Sequence, residues 1–203
     1  MYIRCKQYFM KLSLELEFTT PKEWIEAVMN DFNSFLQDHA DCERKASAMA
    51  MSFVAKCPDK TKIIPGLIET ALEELEHFRE VYKIMEKRNV SLRKEMTPDR
   101  YIQQLMDCIR AQPEERLLDR MLLASIIECR GAERFRMVAE ALQEEELKKF
   151  YKMLWASEAK HGNIFIAMAL EYYPENEVYD RLKELIRKEA EICSRLPYRA
   201  ALH

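Results

Sequence analysis

Glycine is nearly missing, with three in 203 residues. Sheet-rich folds with many tight turns need glycine where the backbone takes positive φ. The scarcity, together with many Glu, Lys, Arg, Leu, Ala and Met, excludes that class and predicts an all-α protein. No apolar run is long enough to span a bilayer, and Arg4, Lys6 and Lys11 interrupt the amino-terminal segment too often for a signal peptide. No membrane partner is expected, and the cytoplasm is the expected location. The six cysteines, Cys5, Cys42, Cys57, Cys108, Cys129 and Cys193, include no C-x-x-C pair, which argues against a thiolate metal site and for reduced thiols. An excess of positive charge is also lacking, since the formal net charge is −3, so nothing in the composition announces a nucleic-acid binder.

What is present reads as helices around an ordinary core, with 48% hydrophobic residues. Residues 1–19 form an amino-terminal segment, extended or poorly ordered, in which Leu12, Leu14, Leu16 and Phe18 alternate. Residues 20–203 form one helical domain, with no low-complexity linker inside it. Thr20-Pro21-Lys22-Glu23 has the pattern of a capping box and starts a long helix, bent near Asn30, that ends at Cys57-Pro58. A second helix runs from about Pro65 to Arg88. The stretch from Asn89 to Gln112 is a long crossover with its own Thr97-Pro98 start and a short amphipathic helix carrying Tyr101, Ile102, Leu105, Met106 and Ile109. Helix three begins near Pro113 and helix four near Glu144, closed by Pro174. A last helix, from about Asn176 to Arg195, carries Val178, Leu182, Leu185, Ile186 and Ile192 on one face.

Two Glu-x-x-His pairs, Glu74 with His77 and Glu158 with His161, use two of the four histidines. Residues three apart on a helix lie nearly one above the other and offer a carboxylate and an imidazole to one metal ion. The helices before them carry Glu43 and Glu128. Residues level with one another in a helical hairpin lie symmetrically about its turn. Midway between Glu43 and Glu74 stands the Cys57-Pro58-Asp59-Lys60 breaker, and midway between Glu128 and Glu158 stands Gln143, just past Leu142. Each ligand also falls on an apolar stripe: Glu43 with Phe35, Leu36, Ala46 and Phe53, Glu74 and His77 with Leu67, Ala71 and Val81. Glu128 lies on a stripe with Met121, Ala124 and Phe135, and Glu158 and His161 on one with Leu154, Phe165 and Met168. Buried carboxylates must be paired, protonated or metal-bound, and these stripes carry almost no cations.

The expected architecture is therefore a ferritin-like four-helix bundle with a long crossover between helices two and three, a short crossover helix and an additional carboxy-terminal helix. Glu43, Glu74, His77, Glu128, Glu158 and His161 form a hard, oxygen-rich set suited to two iron ions, with manganese also compatible. Glu74 and Glu158 are the expected bridges between the metals, leaving positions open for dioxygen as co-substrate. His39, one turn before Glu43, is a candidate supporting residue, as is Glu133, which points away from Glu128 and reads as an ion-pair partner instead of a ligand. Tyr82, Tyr101, Tyr151, Trp24 and Trp155 are assigned to packing first.

At this point the residues resemble a known family, the diiron tRNA hydroxylases that act on 2-methylthio-N6-isopentenyladenosine beside the anticodon. The resemblance extends over nearly the whole chain beyond Leu16. It is carried by Thr-Pro-Lys-Glu-Trp at Thr20 to Trp24, Asp-His-Ala-Asp-Cys-Glu-Arg-Lys-Ala at Asp38 to Ala46 and Glu-Glu-Leu-Glu-His-Phe at Glu73 to Phe78. Ile-Glu-Cys-Arg-Gly-Ala-Glu-Arg-Phe at Ile127 to Phe135 and Ser-Glu-Ala-Lys-His at Ser157 to His161 complete it. Cys129 and Gly131-Ala132, where relatives carry Ala and Ser-Cys, and Lys160, where Arg is common, depart from the pattern without touching the six ligands. The resemblance implies an oxygenase that adds one oxygen atom to the isopentenyl group of a modified tRNA adenosine, with electrons from an external donor protein.

Local cations at Arg93 and Lys94, Arg110, Arg116 and Arg120, Arg130, Arg134 and Arg136, and Arg195 and Arg199 read mostly as solvated helix faces. Arg130 and Arg134, four apart and near Glu128, are the candidate tRNA contacts. The competing readings are a peroxide-reducing enzyme or manganese catalase with the same ligands, and non-catalytic iron storage. A hydroxylase, unlike these, needs a pocket for a nucleoside side chain with cations around its mouth.

Overall fold

In the computed structural model, residues 14–95 and 98–203 are described. Among them there are seven helices and no strand: α1 (Lys22–Asn30), α2 (Phe32–Lys56), α3 (Ile64–Lys87), α4 (Arg100–Met106), α5 (Pro113–Ala141), α6 (Glu145–Leu170) and α7 (Glu175–Arg195). The architecture is the all-α, ferritin-like bundle. Helices α2 with α3 and α5 with α6 form two closely packed hairpins, α4 lies in the crossover between them, and α7 packs chiefly on α5 and α4. Pro113 and Pro65 sit in the first turns of their helices, where a missing N–H costs nothing.

Helix starts depart from the expected pattern at three places. Thr20 does not cap α1: its N–H and hydroxyl donate to Glu133 at 2.9 and 2.7 Å, and Pro21 holds the cap position without a side-chain bond. The bend near Asn30 is a full break, with the Asp31 carboxylate accepting from Ser34 N at 3.1 Å and capping α2. Helix α4 is capped by Asp99, whose carboxylate accepts from Ile102 N; the expected cap, Thr97, lies outside the described residues. Leu12 also lies outside them, whereas Leu14, Leu16 and Phe18 pack against the bundle.

Side chains from α4, α5, α6 and α7, including Leu105, Leu118, Leu122, Phe165 and Leu185, fill one apolar cluster. Another joins Trp24, Phe35, Phe135, Val138 and Tyr151. Val178, Leu182, Leu185, Ile186 and Ile192 of α7 are all buried, as the sequence predicts. On each bundle helix the polar site residues stand between segments that belong to different clusters. Glu128, for example, lies between Ala124 of the first and Phe135 of the second.

The chain after α7 turns back over the bundle. Trp24 Nε1 donates to Ala201 O at 3.0 Å, Leu202 N donates to Asp38 Oδ2 at 2.8 Å, and the Arg134 guanidinium donates to Leu202 O. Ala201 and Leu202 are buried by these contacts.

Candidate metal centre

The hairpins bring all six expected ligands together. Glu43 comes from α2, Glu74 and His77 from α3, Glu128 from α5, and Glu158 and His161 from α6; none is more than 6% exposed. Their donor atoms fall into two groups, Glu43, Glu74, His77 and Glu158, and Glu74, Glu128, Glu158 and His161, each with atoms within 4.8 Å of one another. Glu74 and Glu158 belong to both.

The carboxylate oxygens divide between the two histidines. Glu74 Oε2 lies 3.3 Å from His77 Nδ1, while its Oε1 lies 2.7 Å from His161 Nδ1. Glu158 Oε1 lies 3.2 Å from His77 Nδ1, and its Oε2 lies 3.3 Å from His161 Nδ1. Each shared glutamate thus turns one oxygen to each group, the disposition a bridging carboxylate requires. Despite these short separations, Glu74 Oε1 and Glu158 Oε1 are buried without a hydrogen-bond partner among the described residues. An orphaned buried carboxylate oxygen is costly. Two such atoms, on the two residues common to both groups, fit a centre shaped for ions.

Electrostatics describe the same strain in protons. Burial and the Glu158 charge push Glu74 up to about 7. Burial, with the neighbouring Glu74 and Glu158, holds Glu128 well above the usual carboxylate range. Burial disfavours charge on His77, yet the nearby carboxylates of Glu158, Glu43 and Glu74 outweigh it and raise the imidazole to about 12. His161 is raised to about 10 as the nearby carboxylates of Glu158 and Glu74 overcome the same burial. Four carboxylates packed this closely demand positive charge, supplied by protons or by metal.

Around this set, His39 Nε2 lies 2.5 Å from Glu43 Oε1 and its Nδ1 lies 3.2 Å from the Tyr151 hydroxyl. Burial, reinforced by the charge of His77, lowers His39 to about 3, so it is neutral. Sequence reasoning missed Glu73. Its Oε2 accepts from His161 Nε2 at 2.9 Å, which leaves Nδ1 turned toward the cluster. Adjacent to Glu74 and about 100° around the helix, Glu73 looks like a surface residue. The usable signal was the tendency of a metal-binding histidine to give its far N–H to a carboxylate.

Three neighbouring residues, Glu133, Arg130 and Arg134, are held in buried or partly buried contacts. Glu133 is an ion-pair partner of Arg130 and accepts from Thr20. Arg130, fully buried, donates to Glu189 at 2.8 and 2.9 Å and to Phe18 O. Arg134, also buried, lies over the Trp24 ring and is tied to the carboxy-terminal turn. Neither arginine is placed to meet a phosphate: their wheel positions face α1, α7 and the tail, which the sequence pattern did not locate.

A cavity of about 260 Å³ lies between α2 and α5. Met49, Phe53, Ala124, Ile127 and Phe135 give it apolar walls, and Glu43, Glu128 and Glu158 belong to its lining. Ile102 and Met106 of α4 and the tail residues Leu202 and His203 complete it. Its other charged lining residues are Lys45, Asp99 and Arg120. Arg120 lies over the Phe53 ring, 4.5 Å from its centroid, and donates to Ser52 Oγ at 2.9 Å.

Residues 8–203 match the family described as tRNA-(MS[2]IO[6]A)-hydroxylase (MiaE). The chain belongs to this family. Among curated members of the hydroxylase family, the tRNA 2-(methylsulfanyl)-N(6)-isopentenyladenosine(37) hydroxylase of Pseudomonas putida is 36% identical over 168 residues, covering 83% of this chain and 80% of that protein. The protein of the same name from Salmonella typhimurium is 32% identical over 115 residues, 57% of this chain and 42% of its own length. Among solved structures, a protein with aldehyde deformylating oxygenase activity from Synechococcus superposes with a TM-score of 0.85 at 31% identity, covering 91% of this chain and 92% of that one.

Proposed function

We propose that this protein is a non-haem diiron oxygenase that hydroxylates the isopentenyl side chain of 2-methylthio-N6-isopentenyladenosine in the anticodon loop of tRNA. Dioxygen is the co-substrate, electrons come from a donor protein, and the reaction takes place in the cytoplasm, where tRNA is found. The observation that carries the reading is the cavity between α2 and α5, whose apolar walls meet the carboxylates of the cluster. Membership of the hydroxylase family supports the substrate.

In this reading Glu43, Glu74, His77 and Glu158 would hold one ion and Glu74, Glu128, Glu158 and His161 the other; iron is the assignment, and manganese suits the same donors. Two iron ions would supply the activation of dioxygen that attack on an unactivated C–H bond requires, chemistry outside the reach of side chains. The protein's own residues do the rest. Met49, Phe53, Ile127 and Phe135 exclude water and orient the branched alkenyl group toward the cluster. His39 holds Glu43 through a hydrogen bond, and Glu73 fixes the ring of His161. Lys45 and Arg120 offer positive charge in the cavity lining to an anionic substrate.

Mass spectrometry of modified adenosines in tRNA from cells with and without the protein tests this. Complementation uses wild type and Glu128→Ala. The expected result is loss of the hydroxylated isopentenyl nucleoside, restored by wild type alone. An unchanged nucleoside profile, in cells that contain the unhydroxylated precursor, removes the tRNA assignment. Conversion of an aldehyde by the iron-loaded protein would then move the activity named for the Synechococcus structure to the front, and peroxide turnover would favour catalase-like chemistry.

A further inference from the structure

A second cavity, of about 400 Å³, adjoins the one that meets the cluster, and the proposed reaction makes no use of it. His203 lines both cavities. Its ring stacks on Tyr101, with centroids 5.0 Å apart and planes 11° from parallel, and Tyr101 lines the second cavity. The stacked pair therefore forms part of the partition between two neighbouring spaces. His203 Nδ1 is buried in that partition without a hydrogen-bond partner among the described residues, a costly state for a polar atom unless something else meets it.

The lining has an unusual balance for a chain of net charge −3. It holds Arg100, Arg134 and Arg199 beside Trp24, Tyr101 and Tyr198, and no aspartate or glutamate. Arg134 is committed to Leu202 O and the Trp24 ring. Arg100 is exposed, Tyr198 is 41% exposed, and Arg199 donates to an oxygen of the last residue, His203 O, at 3.2 Å. Guanidinium groups beside aromatic faces are the combination that holds single-stranded nucleic acid, cations on phosphates and rings on bases.

We infer that the second cavity is a subsite for the RNA nucleotide next to the modified adenosine, with its phosphate on Arg100 and Arg199 and its base on Tyr198. The unpartnered His203 nitrogen is the polar group left between the two bases. The inference rests on the tRNA reading above, because neighbouring nucleotides of one strand would occupy neighbouring cavities.

The test is binding of a fluorescent anticodon stem-loop RNA by anisotropy across a salt series, with the iron-loaded wild type, Arg100→Ala, the Arg100→Ala/Arg199→Ala pair and Tyr198→Ala. Arg187→Ala serves as control, since that side chain is 70% exposed on α7. The expected result is a loss of about tenfold in affinity for the pair and for Tyr198→Ala. The slope of log affinity against log salt should shrink by about 0.7 for each arginine removed, while Tyr198→Ala keeps the wild-type slope. Where the RNA is turned over, KM rises and kcat holds. Unchanged affinity and slope in the pair, an equal loss in Arg187→Ala, or a fall in kcat without a change in KM would each overturn the subsite. If the slope changes as expected but the RNA is not hydroxylated, the subsite stands and the hydroxylase reading falls; if wild type binds no RNA, both fall.

Discussion

His161 and Glu73 form a hydrogen bond of 2.9 Å between the far ring nitrogen and a carboxylate that is itself held by Lys160 at 2.8 and 3.0 Å. Burial disfavours charge on Glu73, but the bonds from Lys160 and His161 outweigh it and hold the carboxyl below its usual range. A charged acceptor fixes the tautomer and the orientation of the imidazole. Glu73→Ala should lower metal affinity at the His161 position by about 10–100-fold and leave the His77 position filled. Lys160→Met, which breaks a half-exposed ion pair, should have a much smaller effect. Iron titration with counting of bound ions separates the cases, and equal affinity in Glu73→Ala and wild type would remove the positioning role.

Gly162 sits at a close approach of α6 to α5. A Cβ there would stand 2.5 Å from Cys129 Sγ and 3.3 Å from Ser125 O, and Ser125 Oγ already donates to Gly162 O at 2.7 Å. Gly162→Ala is therefore expected to destabilise by about 1–3 kcal/mol through overpacking, despite the better helix propensity of alanine. Because the nearest obstacle is the Cys129 sulfur, Cys129→Ala in the same chain should recover much of that loss. Urea denaturation of both single variants and the double variant measures the coupling, and strict additivity would show that the sulfur is not the obstacle.

The positions legible in the sequence were those governed by periodicity. Hairpin symmetry placed Glu43 level with Glu74 and Glu128 level with Glu158 before any coordinates, because ligand height follows from residue count along regular helices. What stayed hidden depended on contacts distant in the chain. Thr20 looked like a cap since nothing in its neighbourhood announces Glu133, more than a hundred residues away. Arg130 and Arg134 looked free for the same reason, their partners being Glu189, Phe18 and Leu202. The tail from Ala201 to His203 has no periodicity at all, yet its Leu202 and His203 line the cavity that meets the cluster.

Asp119 ties the crossover to α7. Its carboxylate, fully buried, accepts from Arg110 N and Nη2 at 2.9 and 2.8 Å and from Arg181 Nε and Nη2 at 2.9 and 2.8 Å. Asp119→Ala leaves Arg181 buried without this acceptor and should cost about 3 kcal/mol at neutral pH, the lower end for breaking a buried pair because Arg110 is partly exposed. Burial would raise the Asp119 carboxyl, but the bonds from Arg181 and Arg110 outweigh it and hold it below the ordinary range. A depressed folded-state value contributes stability that is present above the unfolded value of about 3.9 and lost as pH falls through the folded one. The stability gap between wild type and Asp119→Asn should hold from pH 7 to about pH 5 and narrow below about pH 4. A gap independent of pH down to acid unfolding would show that the carboxylate charge contributes nothing.

The orphaned Oε1 atoms of Glu74 and Glu158 make metal loading a stability experiment as well as a functional one. An ion that binds the folded chain alone adds about 2.7 kcal/mol at a hundred times its Kd. For a chain of this size that corresponds to a rise in Tm of about 5–10 °C. Anaerobic ferrous iron should produce that rise in wild type, and a chelator should reverse it. Because Glu74 and Glu158 belong to both groups whereas Glu43 belongs to one, Glu158→Ala should lose the whole shift and both ions. Glu43→Ala should keep one ion and part of the shift. Equal stoichiometry in the two variants would show that the carboxylates are not shared between ions, and an unchanged Tm in wild type with iron and with manganese would mean that protons alone hold the cluster together.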